Sequence, residues 1–154
     1  MITYISQFII CVIATISFAI IFSAPKSELI FCGISGALGW VFYLYIVALG
    51  GGTTLGNAIG AIVLTLFSRY LATIRKKPVT IYLITGIFPL VPGAGIYYTA
   101  YYLIMNEMEN FSHYGLFTIK TAGAIVIGII LGMAPPQSFI RKSVSIFSAP
   151  FGRK

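Results

Sequence analysis

The sequence predicts an all-α polytopic membrane protein with five spans, the fourth broken at Pro89 and Pro92. Three observations carry this reading. Hydrophobic residues make up 58% of the 154 and charged residues 8%, against ~45–50% and ~25% in soluble domains. Mean hydropathy is +0.98. The few charges are clustered, so that 1–25, 29–68, 78–106 and 121–140 carry none. Ten Lys/Arg and three Asp/Glu cannot clothe a soluble domain of this size, and the composition does not suit disorder. The net charge of +7 would point to nucleic acid in a soluble chain. Here it fits the basic loops of a membrane protein, with the lipid bilayer and not a nucleic acid as partner.

A spanning helix needs ~20 apolar residues. The first charge-free run gives one span, about 4–24. No basic residue precedes it, and it exceeds the apolar core of a secretory leader, so it reads as an anchor helix. The second run, 29–68, would make a helix of about 60 Å, twice the hydrocarbon thickness, and must turn. Gly50-Gly51-Gly52-Thr53-Thr54 supplies the turn, giving spans at about 29–49 and 55–74. Arg75-Lys76-Lys77-Pro78 ends the third span. The fourth runs over 79–105. A polar stretch, Asn106 to His113, reads as a loop before a fifth span at about 117–140, interrupted by Pro135-Pro136.

Lys/Arg placement orients the chain. Lys26, Arg75-Lys76-Lys77 and the tail pair Arg141-Lys142 fall in alternate loops, while Glu107 and Glu109 fall between them. This places the N-terminus outside and the C-terminus inside a cytoplasmic membrane. Lys120 is the exception and snorkels outward. The basic tail, 143–154, either lies on the inner leaflet or extends loosely.

Small residues mark faces where helices approach closely in lipid. They recur at Gly33, Gly36 and Gly39, at Gly56 and Gly60, and at Ala124, Gly128 and Gly132. These faces pack either within the chain or against a partner. The sharpest local feature is Thr85 to Gly95. Pro89 and Pro92 lack backbone donors and push the residues before them out of helix, and Gly93 and Gly95 permit positive φ. An unwound segment halfway across a bilayer is tolerated only inside protein or beside a wet cavity, and such breaks form substrate sites in transporters. The half-helix beginning near Ala94 would aim its N–H groups and positive dipole end at a carboxylate.

Candidate pathway residues are therefore Pro89, Pro92, Gly93, Ala94 and Gly95. Tyr97 and Tyr98 follow, either as pathway hydroxyls or as an interfacial belt. Arg69 either snorkels to headgroups or faces a polar interior, and Asn57 is expected to bond a neighbouring helix. Cys11 and Cys32 sit in apolar runs without metal-ligand spacing and read as small buried hydrophobes. Gly50–Gly56 lacks the Lys of a phosphate loop. No metal or cofactor site and no nucleophile–base pair is evident, so an enzyme is disfavoured.

Ser68-Arg69-Tyr70-Leu71-Ala72, the basic loop ending at Pro78, and Gly86 to Gly93 followed by the Tyr/Thr-rich 96–102 resemble the threonine/serine exporter family, specifically its small, C-terminal-type half. The likeness runs from the first span to Arg141-Lys142. It implies a larger exporter-type membrane subunit as partner, and export of threonine and serine or of dicarboxylates such as succinate. Pro89, Pro92 and Gly93 carry over from the family motif, Arg69 matches its Ser-Arg-aromatic-Leu pattern, and no catalytic residue does. The expected function is a membrane subunit of a split exporter in which the broken fourth span binds a small amino acid or carboxylate. The alternative is a non-transporting subunit that stabilises its partner.

Overall fold

The computed structural model describes residues 2–138. All of the regular structure among them is helical: α1 (Ile2–Ile21), α2 (Leu29–Ala48), α3 (Gly52–Arg75), α4 (Val79–Ile87), α5 (Gly93–Ile104) and α6 (Met108–Met133). Four helices are long and apolar enough to cross a membrane, and the count is five where α4 and α5, bent by 56° to each other, are taken together as one broken span. The chain is a multi-pass membrane protein.

Helix ends follow local chemistry. Gly50 and Gly52 take φ of 84° and 73°, which makes the tight turn between α2 and α3, and α3 starts three residues earlier than the turn motif suggests. Lys76 adopts the left-handed conformation at the end of α3, and Lys77 N–H returns to the Ala72 carbonyl at 3.2 Å, a common helix stop. Pro78 precedes the first turn of α4, where a missing N–H costs nothing. Asn106 (φ 60°) turns the chain between α5 and α6.

The polar stretch is not a loop. Residues Met108 to His113 form the first turns of α6. Asn110 Nδ2 donates to Glu107 Oε2 at 2.7 Å, and Glu109 lies in the first turn, where a carboxylate suits the dipole. The apolar period of the later residues therefore begins partway along a helix that extends past the hydrocarbon. At its other end α6 stops at Met133, ahead of Pro135-Pro136. The expected end of the span at Ile140 and the tail 143–154 lie outside the described residues.

Helix α3 is central, with α2 on one side and α6 on the other; α4 packs on α2 and α3, α1 on α2, and α5 on α6. The glycine faces are used internally. A Cβ on Gly60 would sit 2.8 Å from the Gly39 carbonyl, and one on Gly36 would strike Thr15 and lie 3.2 Å from the Gly86 Cα. A Cβ on Gly128 would collide with the Ala58 carbonyl, and one on Gly132 would come within 2.6 Å of Thr65. Backbones approach this closely because lipid supplies no hydrophobic drive and contact must do the work. The outward faces of α1 and α6, including Ile5, Ile9, Ile13, Ile127 and Ile130, are exposed and apolar, as a lipid-facing surface requires.

Gly128→Leu is expected to force α6 off α3 and to cost about 1–3 kcal/mol or more. Gly123→Leu, on the same helix with open space around its Cβ, should be neutral. Thermal unfolding of the two variants in one detergent checks the contrast.

Candidate functional site

The break in the fourth span is compact. After α4 a tight turn covers Phe88–Leu90, and Val91 N–H closes it on the Phe88 carbonyl at 3.2 Å. Val91 is extended (φ −62°, ψ 130°), the conformation a following proline enforces. Pro92 (φ −76°, ψ 62°) then starts α5. Gly93 and Gly95 do not use positive φ: among the described glycines only Gly50 and Gly52 do, so the prolines alone unwind the chain. Gly95 serves packing instead, since a Cβ there would meet Thr118 Oγ1 at 2.5 Å. The segment is anchored. Phe88 stacks on Phe18 at 4.2 Å and leans on Phe22 at 5.3 Å, and Leu90 is buried against Ala61, Leu64 and Ile125.

Beside the break lies a cavity of about 240 Å³. Residues 89–95 form one wall; Trp40 and Tyr43 come from α2, Thr53 and Asn57 from α3, and Phe117 and Thr121 from α6. Three kinds of unsatisfied polar group meet here. No side chain caps α5. Gly93 N–H turns back to the Val91 carbonyl and Ile96 N–H makes the first helical bond, to Pro92, which leaves the N–H groups of Ala94 and Gly95 without partners among the described residues. Asn57 spends its amide on the Thr53 carbonyl at 2.9 Å and makes no bond to a neighbouring helix, contrary to expectation. Its side-chain oxygen has no hydrogen-bond partner among the described residues, and Asn57 lines the cavity.

Thr121 is the third, and the sequence did not signal it. Helical threonines usually return the hydroxyl to the carbonyl four residues back. Thr65, Thr73, Thr85, Thr99 and Thr118 all do so, at 2.7–2.9 Å. Thr121 does not: it is 1% exposed and its Oγ1 has no partner among the described residues. An unpaired buried hydroxyl costs roughly 1–3 kcal/mol, so the chain tolerates this one beside a cavity already lined by free donors.

Other predicted residues lie elsewhere. Tyr97 (63% exposed) and Tyr98 are outward on α5. Tyr97 stacks along the helix on Tyr101, and Tyr98 stacks on Tyr102 and packs against Tyr114 of α6. Arg69 does not snorkel. It is 7% exposed, and its guanidinium donates to the carbonyls of Gly132 (2.9 Å), Met133 (3.0 Å) and Pro135. The cause is local: prolines at 135 and 136 cannot donate back into α6, and an arginine satisfies the abandoned carbonyls at the negative end of the dipole. Arg69 joins α3 to the end of α6.

A second buried ion lies at the same end. Glu28 is 1% exposed and receives Arg75 Nε and Nη2 at 3.1 and 2.9 Å, Tyr82 Oη at 2.7 Å and Ser27 Oγ at 3.1 Å. Arg75 also covers the Phe31 ring at 4.5 Å. Sequence spacing could not reveal this, because the partners are 47 and 54 residues away.

The threonine/serine exporter family (ThrE) matches residues 7–134. The chain belongs to the threonine/serine exporter family. No match was found among curated proteins, and none among solved structures. The exporter family is a transporter family. The matched stretch takes in α2 to α6 whole and α1 from residue 7 onward, including both sides of the Val91–Pro92 break.

Arg69→Met is expected to release the last turn of α6 and to destabilise the exporter-family fold by roughly 2 kcal/mol or more, since hydrogen bonds from a charged donor are worth about 1.5–3 kcal/mol each. Faster amide exchange confined to residues near 132 would report it, and Arg69→Lys should recover only part of the protection.

Proposed function

We propose that this chain is the small membrane half of a split exporter, and that the break in its fourth span binds the carboxylate of the exported solute. The N–H groups of Ala94 and Gly95 and the positive end of α5 supply the anion site. Thr121 Oγ1 and the Asn57 side-chain oxygen supply partners for a second polar group, an ammonium or a hydroxyl. The cavity is smaller than the ~300–1,000 Å³ pockets that take drug-sized ligands, which suits threonine, serine or a short dicarboxylate such as succinate. A larger exporter-type membrane subunit completes the pathway, in a cytoplasmic membrane with the Lys/Arg-rich loops inside. Gating of one half against the other then gives alternating access.

The observation that carries this reading is the unpartnered Thr121 hydroxyl, because it makes opposite demands on stability and binding. Thr121→Val removes an unsatisfied group and keeps the shape, so it should raise the melting temperature. The same change should weaken solute binding about 5–10-fold, the worth of one hydrogen bond. Trp40 is the single tryptophan and lines the cavity, so its emission can follow titration with L-threonine, L-serine and succinate. Unchanged affinity in Thr121→Val, together with unchanged export by Pro92→Leu at matched membrane abundance, would overturn the site. Transport by the purified chain alone in liposomes would overturn the split arrangement.

A further inference from the structure

A second cavity, of about 810 Å³, opens at the basic end of the bundle between the end of α3, the start of α4 and the segment after α6. Arg69, Lys76 and Lys77 line it, with Thr73, Pro78 and Gln137. No carboxylate does. Glu28 is taken up by Arg75, Tyr82 and Ser27, and Glu107 and Glu109 stand at the start of α6, remote from its Arg69-bonded end. Lys76 and Lys77 make no ion pair among the described residues. Arg69 uses three N–H groups on carbonyls, leaving two of its five donors. Three cations therefore share one cleft without an anion among the described residues.

We infer that this cleft binds the phosphate of an anionic phospholipid headgroup. Depth argues for a lipid. The apolar part of α3 ends at Arg75, so Lys76 and Lys77 stand where hydrocarbon gives way to headgroups, and Arg69 lies about 10 Å deeper at 1.5 Å per residue. Ala72 and Val79 add an apolar wall against which a glycerol backbone and the first acyl carbons can lie. Basic clefts between spans are suited to such headgroups. Lys76 adds a second argument. Its left-handed backbone (φ 54°) is the conformation that glycine or asparagine adopts at least steric cost, and a lysine there makes no ion pair among the described residues, which leaves its charge open to an anion. This site is separate from the cavity beside Pro92 and does not depend on the solute bound there.

The test titrates the purified full chain in neutral detergent with phosphatidylglycerol or phosphatidylcholine of the same acyl chains, counting bound lipids by native mass spectrometry. One phosphatidylglycerol should be retained in preference to phosphatidylcholine. Lys76→Asn with Lys77→Gln should weaken it about 25-fold, about fivefold per charge, whereas Lys26→Gln should not. Asn tolerates the left-handed backbone, so the variant should fold, and Trp40 emission checks that. As an independent measure, phosphatidylglycerol should raise the melting temperature of the wild type and phosphatidylcholine should not. Equal retention of the two lipids, or undiminished preference in the double variant, would overturn the inference. Displacement by equimolar glycerol phosphate would assign the cleft to a soluble phosphate and overturn the lipid.

Discussion

In hydrocarbon a peptide group that loses its helical partner has no water to turn to. This constraint explains most of what is unusual in the bundle. Where Pro135-Pro136 strips the carbonyls at the end of α6, Arg69 is brought in from α3 and satisfies them. Where a threonine would otherwise bury a bare hydroxyl, it bonds its own helix. At Val91–Pro92 the same need is left unmet: two N–H groups, an amide oxygen and the Thr121 hydroxyl surround one small cavity. Among the described residues Thr121 carries the one buried side-chain polar atom without a partner, and it lies in the wall of this cavity.

Close packing is the second constraint, and it holds the first in place. Glycines at 36, 39 and 60 bring α2 against α1, α4 and α3, and Gly128 and Gly132 seat α6 on α3. The carbonyls of α6 lie within reach of Arg69 only because Gly132 lets the backbones meet. The cavity exists because α2, α3 and α6 converge there while the fourth span turns away.

Much of this was legible in the sequence. Charge-free runs pointed to the helices that are candidates for spans, Gly50–Gly52 to the turn, and Pro89 and Pro92 to the break, because each rests on local chemistry that neighbours cannot easily override. The family likeness, carried by Ser68 to Ala72 and Gly86 to Gly93, agrees with the match over residues 7–134. Three-dimensional partnerships were not legible. The start of α6 was hidden by polar residues that belong to a helix end rather than a loop. The role of Arg69 needed the carbonyls of residues more than sixty positions away. Thr121 looks like any helical threonine until its missing back-bond is seen. Tyr97 and Tyr98, adjacent to the break in sequence, turn away from it because α5 presents them outward and toward Tyr114.

The two pieces of the broken span have different companions. Helix α4 and the turn after it are fastened to α1, α2 and α3, with Phe88 wedged between Phe18 and Phe22. Helix α5 leans on α6. If α6 tilts on its glycine seat, α5 moves with it more than α4 does, and much of the displacement falls between Leu90, which also touches Ile125 of α6, and Gly93. Such a joint would act as an elbow, in which a small roll at one helical contact changes the width of the cavity beside the break.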